Sequence, residues 1–305
     1  MQVRFDRRFA SAALALTLSS TTALAAQAET TELDTLEEII VTAQRREQRI
    51  LDVPMSITAL TGDALTRQGA TSLLDIASRV PGLSTSQFSA GQNRVQLRGI
   101  SSLQGLPTVG AYLDETSINV NVQGGGASPT FGADIRFIDL DRVEVLRGPQ
   151  ATLYGEGSMG GTIRYITRDP DLQKSSFGFE SVAGGVEDGS ELYRANVVVN
   201  MPVAEDVFAL RFAGGYERSP GWIDYTAIGK EDANDATAKT ARLKALWKIS
   251  DAFSANLSLL WQDTLTNAQG FANDREAPFV ILTPYDDELR LASLVLTRKR
   301  TLWTN

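Results

Sequence analysis

A glycine-rich segment is the first candidate for chemistry in this sequence. Residues 155–160 read Gly-Glu-Gly-Ser-Met-Gly, which fits the G-x-G-x-x-G fingerprint of dinucleotide-binding sites. The fingerprint works only where a helix follows at once, because the helix N-terminus offers its N–H groups to the pyrophosphate. Residues 162–167 are instead β-branched and aromatic, Thr-Ile-Arg-Tyr-Ile-Thr, and predict a strand. The pattern therefore argues against a nucleotide site.

The residue inventory excludes most catalytic chemistry. The 305 residues include no Cys and no His, so thiolate and imidazole zinc sites, Ser-His-Asp triads and Cys-His dyads are ruled out. The formal net charge of −8 argues against a nucleic-acid partner, whose phosphates need clustered Lys and Arg. We therefore expect that the protein is not an enzyme and that it binds no metal ion, no cofactor and no nucleic acid.

The N-terminus predicts export. Basic residues within 4–8 precede an apolar run over 9–18, and A-x-A sites allow cleavage after Ala25 or Ala28. The run is shorter than the roughly 20 residues of a membrane span. We therefore predict a signal peptide at residues 1–28, and a mature protein that is periplasmic, secreted or in the outer membrane.

A short apolar island follows in a polar tether. Residues 29–38 are acidic and polar, and Ile39, Ile40 and Val41 then stand alone, with nothing nearby in the sequence to pack against them. Such a patch suits a segment that adds as a strand to the sheet edge of a partner. The alternative is that it forms the first strand of the next domain.

Residues 50–170 predict a small α+β domain. Strands are expected at 55–60, 95–97, 109–113, 142–146 and 162–167. A helix capped by Thr71-Ser72 is expected to end at Pro81-Gly82. The core predicted from residue spacing comprises Leu73, Leu74, Ile76, Val95, Leu97, Val143, Val145, Leu153 and Ile163.

From residue 171 to residue 305 the pattern changes to long alternating strands. About six antiparallel strands are predicted, at 177–187, 190–202, 206–217, 238–249, 252–263 and 287–298. Within 252–263, for example, apolar residues alternate with Ser254, Asn256 and Ser258. One face apolar enough for membrane lipid and one polar face are typical of a transmembrane β-barrel. A soluble β-sandwich is the alternative, and the strand length disfavours it.

Several motifs make the chain similar to the TonB-dependent receptors. Residues 38–43, Glu-Ile-Ile-Val-Thr-Ala, resemble the TonB box of that family. Residues 142–155, Arg-Val-Glu-Val-Leu-Arg-Gly-Pro-Gln-Ala-Thr-Leu-Tyr-Gly, resemble its plug signature, and Gly-Gly-Thr-Ile at 160–163 continues it. Further pieces in the family's order lie at 75–82, 97–100 and 112–114. The resemblance covers residues 37–170 by motif and the remainder by strand pattern.

The resemblance implies an outer-membrane transporter. It places a plug at residues 50–170 inside a barrel of about 22 strands, after a periplasmic tether at 29–49 with the TonB box at 37–43. The inner-membrane TonB complex is expected to grip the box and to pull on it, using the proton gradient. The expected TonB contacts are Glu38, Ile39, Ile40, Val41, Thr42 and Ala43.

Two arginines resemble half of a latch. Arg98 and Arg147 are each followed by Gly, and plug arginines of this family pair with glutamates of the barrel wall. A buried pair of that kind suits a stable lock that force can open. The alternative for each residue is a solvated surface arginine.

Two apical loops, 84–94 and 117–131, are the expected ligand contacts. Their candidate residues are mostly neutral, namely Gln87, Phe88, Asn93, Asn119, Asn121 and Gln123. Amides and an aromatic face suit a sugar-like or neutral ligand, whereas an anionic ferric chelate prefers Arg or Lys. The resemblance leaves siderophore, haem, cobalamin-like and saccharide ligands open, and the alternative function is a non-transporting periplasmic or surface binding module.

Two further expectations concern the length of the chain and one position that departs from the family pattern. The about 130 residues beyond the plug are too few for about 22 strands of roughly ten residues each, so we expect an incomplete barrel and a truncated receptor. The family usually has Gly after the aspartate that corresponds to Asp114, whereas this chain has Glu115. The turn at this position is therefore expected to differ from the family pattern.

Overall fold

The structure, a computed structural model, describes residues 39–89, 92–101, 107–119, 134–155, 157–187, 189–225, 229–268 and 284–298. The predicted signal peptide and Glu38 lie outside these ranges. In chain order the described strands are β1 (Ile40–Val41), β2 (Gln48–Arg49), β3 (Ile57–Thr61), β4 (Leu83–Ser89), β5 (Gln92–Leu97), β6 (Val109–Leu113), β7 (Thr116–Ser117), β8 (Leu140–Arg147), β9 (Gly161–Thr167), β10 (Ser176–Gly185), β11 (Glu191–Ala204), β12 (Phe208–Ser219), β13 (Ala236–Ser250), β14 (Phe253–Thr266) and β15 (Tyr285–Arg298). The described helices are α1 (Gly62–Arg67), α2 (Leu73–Ile76) and α3 (Ala151–Tyr154), with 3-10 turns at Ile50–Asp52 and Ala77–Arg79.

Five short strands and the helices form the plug. The strands lie side by side in the order β3-β8-β9-β6-β7, and every neighbouring pair is antiparallel except the parallel pair of β6 and β9. Leu73, Ile76, Leu97, Val143, Val145 and Ile163 of the predicted core are buried in one cluster. The predicted α+β plug is thereby confirmed.

Two predicted core residues are wrong. Leu74 and Leu153 are 39% and 37% exposed, because α2 and α3 are single turns rather than parts of longer helices. Residues three apart share one face of a helix, so Leu73 and Ile76 point inward and Leu74 does not. In α3 the buried residue is Tyr154. The predicted cap is confirmed, since Ser72 and Asp75 form a capping box.

Two other segments form or lead into β-strands. The expected apical loop at 84–94 is mostly a hairpin, in which β4 and β5 pair from Leu83 with Leu97 to Ser89 with Gln92. The glycine-rich residues 155–160 lead into β9, so the strand predicted there is confirmed. No helix follows the glycines to receive a pyrophosphate.

A six-stranded antiparallel sheet, here called the wall, follows the plug. Its order is that of the chain, from β10 to β15, and in the described part of the chain β10 and β15 form two edges that do not pair with each other. The six predicted strands are confirmed, with ends that shift by a few residues. The described connections of the wall are shortest at 205–207 and 251–252.

Alternation along the wall gives it two different faces. In β14 the residues Ser258, Leu260, Gln262, Thr264 and Thr266 are buried toward the plug, whereas Leu257, Leu259 and Trp261 between them are more than a third exposed on the other face. Leu260 belongs to the plug core cluster, and Leu289 and Leu291 of β15 pack against it. The wall therefore packs one face against the plug and exposes an apolar outer face, as a barrel segment does.

None of the helices in the described ranges is long and apolar enough to span a membrane.

Candidate functional site

The described part of the predicted TonB box, residues 39–43, is folded against the plug. Ile40 and Val41 form β1, which pairs antiparallel with β2 through Ile40–Arg49 and Val41–Gln48. The side chains of Val41 and Ala43 are 0% and 1% exposed, in a cluster with Val53, Tyr112, Leu146 and Tyr154. The expectation that nothing nearby in the sequence packs against this island is wrong, because β2 pairs with it and Val53 packs against it. Further neighbours come from β6, β8 and α3, so the island is packed as in the alternative interpretation, a first strand of the domain.

Hydrogen bonds from the plug hold the next two residues of the box. The Thr42 amide donates to Oε1 of Glu144 over 2.9 Å, and the Thr42 hydroxyl oxygen accepts from Arg164 Nη1 over 2.8 Å and from Arg142 Nη2 over 3.1 Å. The Tyr154 hydroxyl donates to the Ala43 carbonyl over 2.7 Å. Burial raises the pKa of Tyr154, so this hydroxyl stays a donor throughout the neutral range.

A buried ion network lies under the box. Glu144 is 0% exposed and accepts from Arg142 Nε and Arg164 Nη1, both over 2.8 Å. Arg164 is also fully buried and donates through Nη2 to Glu115 over 2.8 Å. Sequence reasoning missed this network. The sequence contained one sign of it. Arg142 and Glu144 alternate with the core residues Val143 and Val145, so they lie on the opposite face of β8, which is also covered.

Three basic residues of the wall, Arg211, Arg242 and Lys244, form a second ionic contact that sequence reasoning missed. We call them the wall clamp. Arg211 binds the Asp139 carboxylate through Nε and Nη2 over 2.7 and 2.6 Å, and Arg242 Nη2 donates to the Asp139 carbonyl over 2.9 Å. Lys244 Nζ contacts Thr167 Oγ1 over 2.8 Å and Asp169 Oδ1 over 2.6 Å. The clamp ties the plug to β12 and β13.

The two latch candidates lie elsewhere. Arg98 is exposed in the left-handed region with φ 57°, and Nε of Arg147 is buried without a hydrogen bond. Neither guanidinium contacts a wall carboxylate within the described ranges. The latch at these two residues therefore stays a prediction. Plug–wall ion pairs occur at the clamp, where acidic plug residues meet basic wall residues, and with the polarity expected for the latch between Arg136 of the plug and Glu217 of the wall, at 3.4 Å.

The predicted ligand residues have different environments. Gln87 is exposed in β4, and the backbone of Phe88 lies in the same strand. Asn93 is only 2% exposed, and Asn119 Oδ1 accepts from the Ala111 amide over 2.7 Å. Asn121 and Gln123 lie outside the described residues. Their role in ligand binding stays a prediction.

Asn93 lies beside a buried carboxyl group that sequence reasoning did not select. Asp134 is 3% exposed, and neither of its carboxylate oxygens has a hydrogen bond in the described part of the chain. Its nearest cation is Arg136, at 3.8 Å, which also contacts Glu217 of the wall at 3.4 Å. Burial raises the pKa of Asp134, more than the charge of Arg136 lowers it.

The raised pKa of Asp134 predicts a pH dependence of stability. A carboxyl group with a raised pKa in the folded state contributes stability that is complete below its ordinary pKa of about 3.9 and is lost as pH rises through the raised value. Asp134→Asn keeps the neutral shape, so its melting temperature should fall less between pH ~4 and pH ~7 than that of the wild type. The matched control is Asp141→Asn, at a half-exposed side chain. Equal pH slopes for the wild type and Asp134→Asn would contradict the prediction.

Candidate metal ligands are few. No group of three or more Asp, Glu, His or Cys residues with a geometry suited to a metal ion occurs within the described ranges. The acidic side chains described above are instead paired with arginine or lysine.

A plug tied by ion pairs to the inner face of an antiparallel strand wall with an apolar outer face is the architecture of a plugged outer-membrane transporter. Residues 49–162 match the family model described as "TonB-dependent Receptor Plug Domain". The chain thus belongs to the TonB-dependent receptors, which are proteins of the outer membrane and not enzymes.

Relatives and solved structures agree with this assignment. The chain is 30% identical over 240 residues to a vitamin B12 transporter of Vibrio vulnificus, covering 77% of this chain and 36% of the relative. It is 30% identical over 266 residues to a hemin receptor of Yersinia enterocolitica, covering 82% of this chain and 36% of the relative. The ferripyoverdine receptor of Pseudomonas aeruginosa shares the fold with a TM-score of 0.65 at 20% identity, over 85% of this chain and 34% of the receptor. This chain therefore spans about a third of the length of these proteins.

Proposed function

We propose that this chain supplies the energy-coupling segment, the plug and the first wall strands for TonB-dependent import of a scarce ligand across the outer membrane. The observation that carries the proposal is β1, a two-residue strand at the N-terminal side of the plug that has a single neighbouring strand, β2, among the residues that the structure describes. A strand with a free edge can pair with the sheet of a partner. The family match over residues 49–162 supports the same role.

The ligand class follows from the apical residues and from the relatives. The relatives are described as vitamin B12 and hemin receptors, and similar structures as siderophore receptors. Among the candidate residues, Gln87 is exposed, whereas the Asn119 carbonyl is used by the backbone. We favour a neutral ligand contacted by Gln87, Asn121 and Gln123, since amides bind neutral polar groups.

Replacing Ile40 with proline tests the coupling role. Proline removes the N–H of Ile40 and fixes φ, so β1 cannot extend a partner sheet. We expect Ile40→Pro to abolish energised accumulation of ligand while binding at the cell surface persists. Ile40→Val, which keeps the N–H and the β-branch, is the matched control and should transport normally.

The measurement uses cells that lack their other receptors of this family and a panel of cyanocobalamin, hemin and ferric siderophores. Accumulation is compared with and without a proton uncoupler, and binding is measured in the cold. Normal uptake by Ile40→Pro would contradict the assignment of the box. Binding without any energised uptake by the wild type would favour a non-transporting binding module.

A further inference from the structure

The turn between β6 and β7 contacts both the wall and the box segment. Asp114, with φ 50°, accepts from the Thr167 amide over 2.8 Å and lies 3.6 Å from Lys244 Nζ of the wall clamp. The next residue, Glu115, reaches in another direction. Its Oε1 accepts from Arg164 Nη2 over 2.8 Å, and its Oε2 lies 3.5 Å from Arg45 Nη1. Two neighbouring carboxylates thus connect one turn to the wall and to the box.

Arg164 carries the contact from Glu115 to the box itself. Its Nη1 donates to the Thr42 hydroxyl and to Glu144, both over 2.8 Å. Among the described residues, two carboxylates contact Arg164. Glu144 is shared with Arg142, whereas Glu115 is not. A buried guanidinium that loses a carboxylate is left undercompensated. The position of the Arg164 side chain, and with it the bond to Thr42, therefore depends on Glu115.

Arg45 carries a second contact from Glu115 to the chain just after the box. Arg45 has φ 57°, a left-handed conformation that residues with a Cβ rarely adopt. Its amide closes a turn onto the Thr42 carbonyl over 2.9 Å. Its guanidinium lies 5.5 Å from the centre of the Tyr154 ring, and the Tyr154 hydroxyl binds Ala43. Glu115 and Tyr154 together hold this strained turn, which folds the box back onto the plug.

We propose that Glu115 is a positioning residue that holds the box segment against the plug through Arg164 and Arg45, and so sets how often the box becomes accessible to a partner. The proposal rests on the proposed function, because it concerns the strand that TonB is expected to bind. Glu115 is also the position at which the sequence departs from the glycine expected from the family pattern.

Thiol labelling tests the proposal directly, because the chain contains no cysteine. Ala43→Cys places a single reporter at a 1% exposed position of the box, and Ala77→Cys places a matched reporter at an 8% exposed position of the plug core. Each reporter is combined with Glu115→Ala in the protein produced from its own gene, purified in detergent and treated with a maleimide. We expect labelling at Ala43→Cys to become about fivefold faster, and labelling at Ala77→Cys to stay unchanged.

The effect of salt on the labelling rate distinguishes an ionic role of Glu115 from a merely structural one. The Glu115 side chain is 40% exposed, so salt screens its ion pairs. High salt should therefore accelerate labelling at Ala43→Cys in the wild-type background and have little effect beside Glu115→Ala. Glu115→Gln, which keeps one hydrogen bond to Arg164 without the charge, should label at an intermediate rate.

Two outcomes would overturn the proposal. Unchanged labelling at Ala43→Cys would show that Glu115 does not hold the box, and equal acceleration at both reporters would show general destabilisation. The labelling needs neither TonB nor a ligand. The two proposals can therefore fail separately. If labelling follows the expected pattern but Ile40→Pro takes up ligand normally, Glu115 holds this segment and the proposed function is contradicted.

Discussion

Asp139→Asn should strongly loosen the seating of the plug in the wall. Asp139 is the shared partner of Arg211 and Arg242, whose side chains are 12% and 4% exposed. The substitution leaves both guanidinium groups buried without a carboxylate, and breaking a buried ion pair in this way costs about 3–5 kcal/mol. Asparagine keeps the size of the side chain and tolerates the φ of 55° at this position, so the loss reports on charge.

The measurement is the urea concentration at which the plug loses protection from protease. Asp263→Asn is the matched control, since the Asp263 carboxylate lies 4.0 Å from the half-exposed Lys239 on the outer face of the wall and should contribute less than about 1 kcal/mol. Adding Arg211→Met to Asp139→Asn should recover part of the loss, because one buried cation is then removed. A loss no larger than that of the control would contradict the role of the clamp.

Gly161→Ala should prevent stable folding of the plug. Gly161 opens β9 with φ 149°, and a Cβ there would lie 2.2 Å from the Leu146 carbonyl oxygen and 2.3 Å from Leu97 Cδ2. The first contact is with backbone, so no change of rotamer relieves it. Backbone strain and overpacking together are expected to cost about 3–5 kcal/mol, a large fraction of the ~5–15 kcal/mol of a typical domain.

Gly178→Ala makes the same chemical change without the same consequences. Its Cβ would lie 3.9 Å from Val198 Cβ in ordinary contact, and its φ lies outside the left-handed region. We expect this variant to accumulate in the outer membrane at the wild-type level, and Gly161→Ala to be degraded or to melt well below it. Equal melting temperatures for the two variants would contradict the close approach of Gly161 to the Leu146 carbonyl.

The strands of the wall could be predicted because their signal is local. Alternation of apolar and polar residues is visible within ten residues, as in 252–263, and it persists because one face of the wall is exposed and apolar while the other packs against the plug. The same reasoning identified Val143 and Val145 of the plug core. It misplaced Leu74 and Leu153, because a helix of a single turn is too short for its sequence to show which of its apolar residues face the core.

The ionic contacts could not be predicted in the same way. Asp139 and Arg211 lie 72 residues apart, and Thr42 and Arg164 lie 122 apart. Such partners are brought together only by the finished sheet order, and each of them alone resembles a solvated charge. Packing of the box could be stated only as an alternative for the same reason, since Tyr154 and Leu146 reach it across the fold.

The way the box is folded back determines how it can be undone. β1 and β2 are neighbouring arms of a hairpin, and the Ile50 amide bonds the Ile39 carbonyl over 3.0 Å at its open end. When the N-terminal side is pulled and residue 50 resists, the force acts on the residue pairs of β1 and β2 one after another. It does not act on all of them at once, as it would in shear. The bond between residues 39 and 50 opens first, then the pair Ile40–Arg49, then Val41–Gln48. The anchors of Thr42 and Ala43 come last, so a small force peels the strand before it meets the strongest resistance.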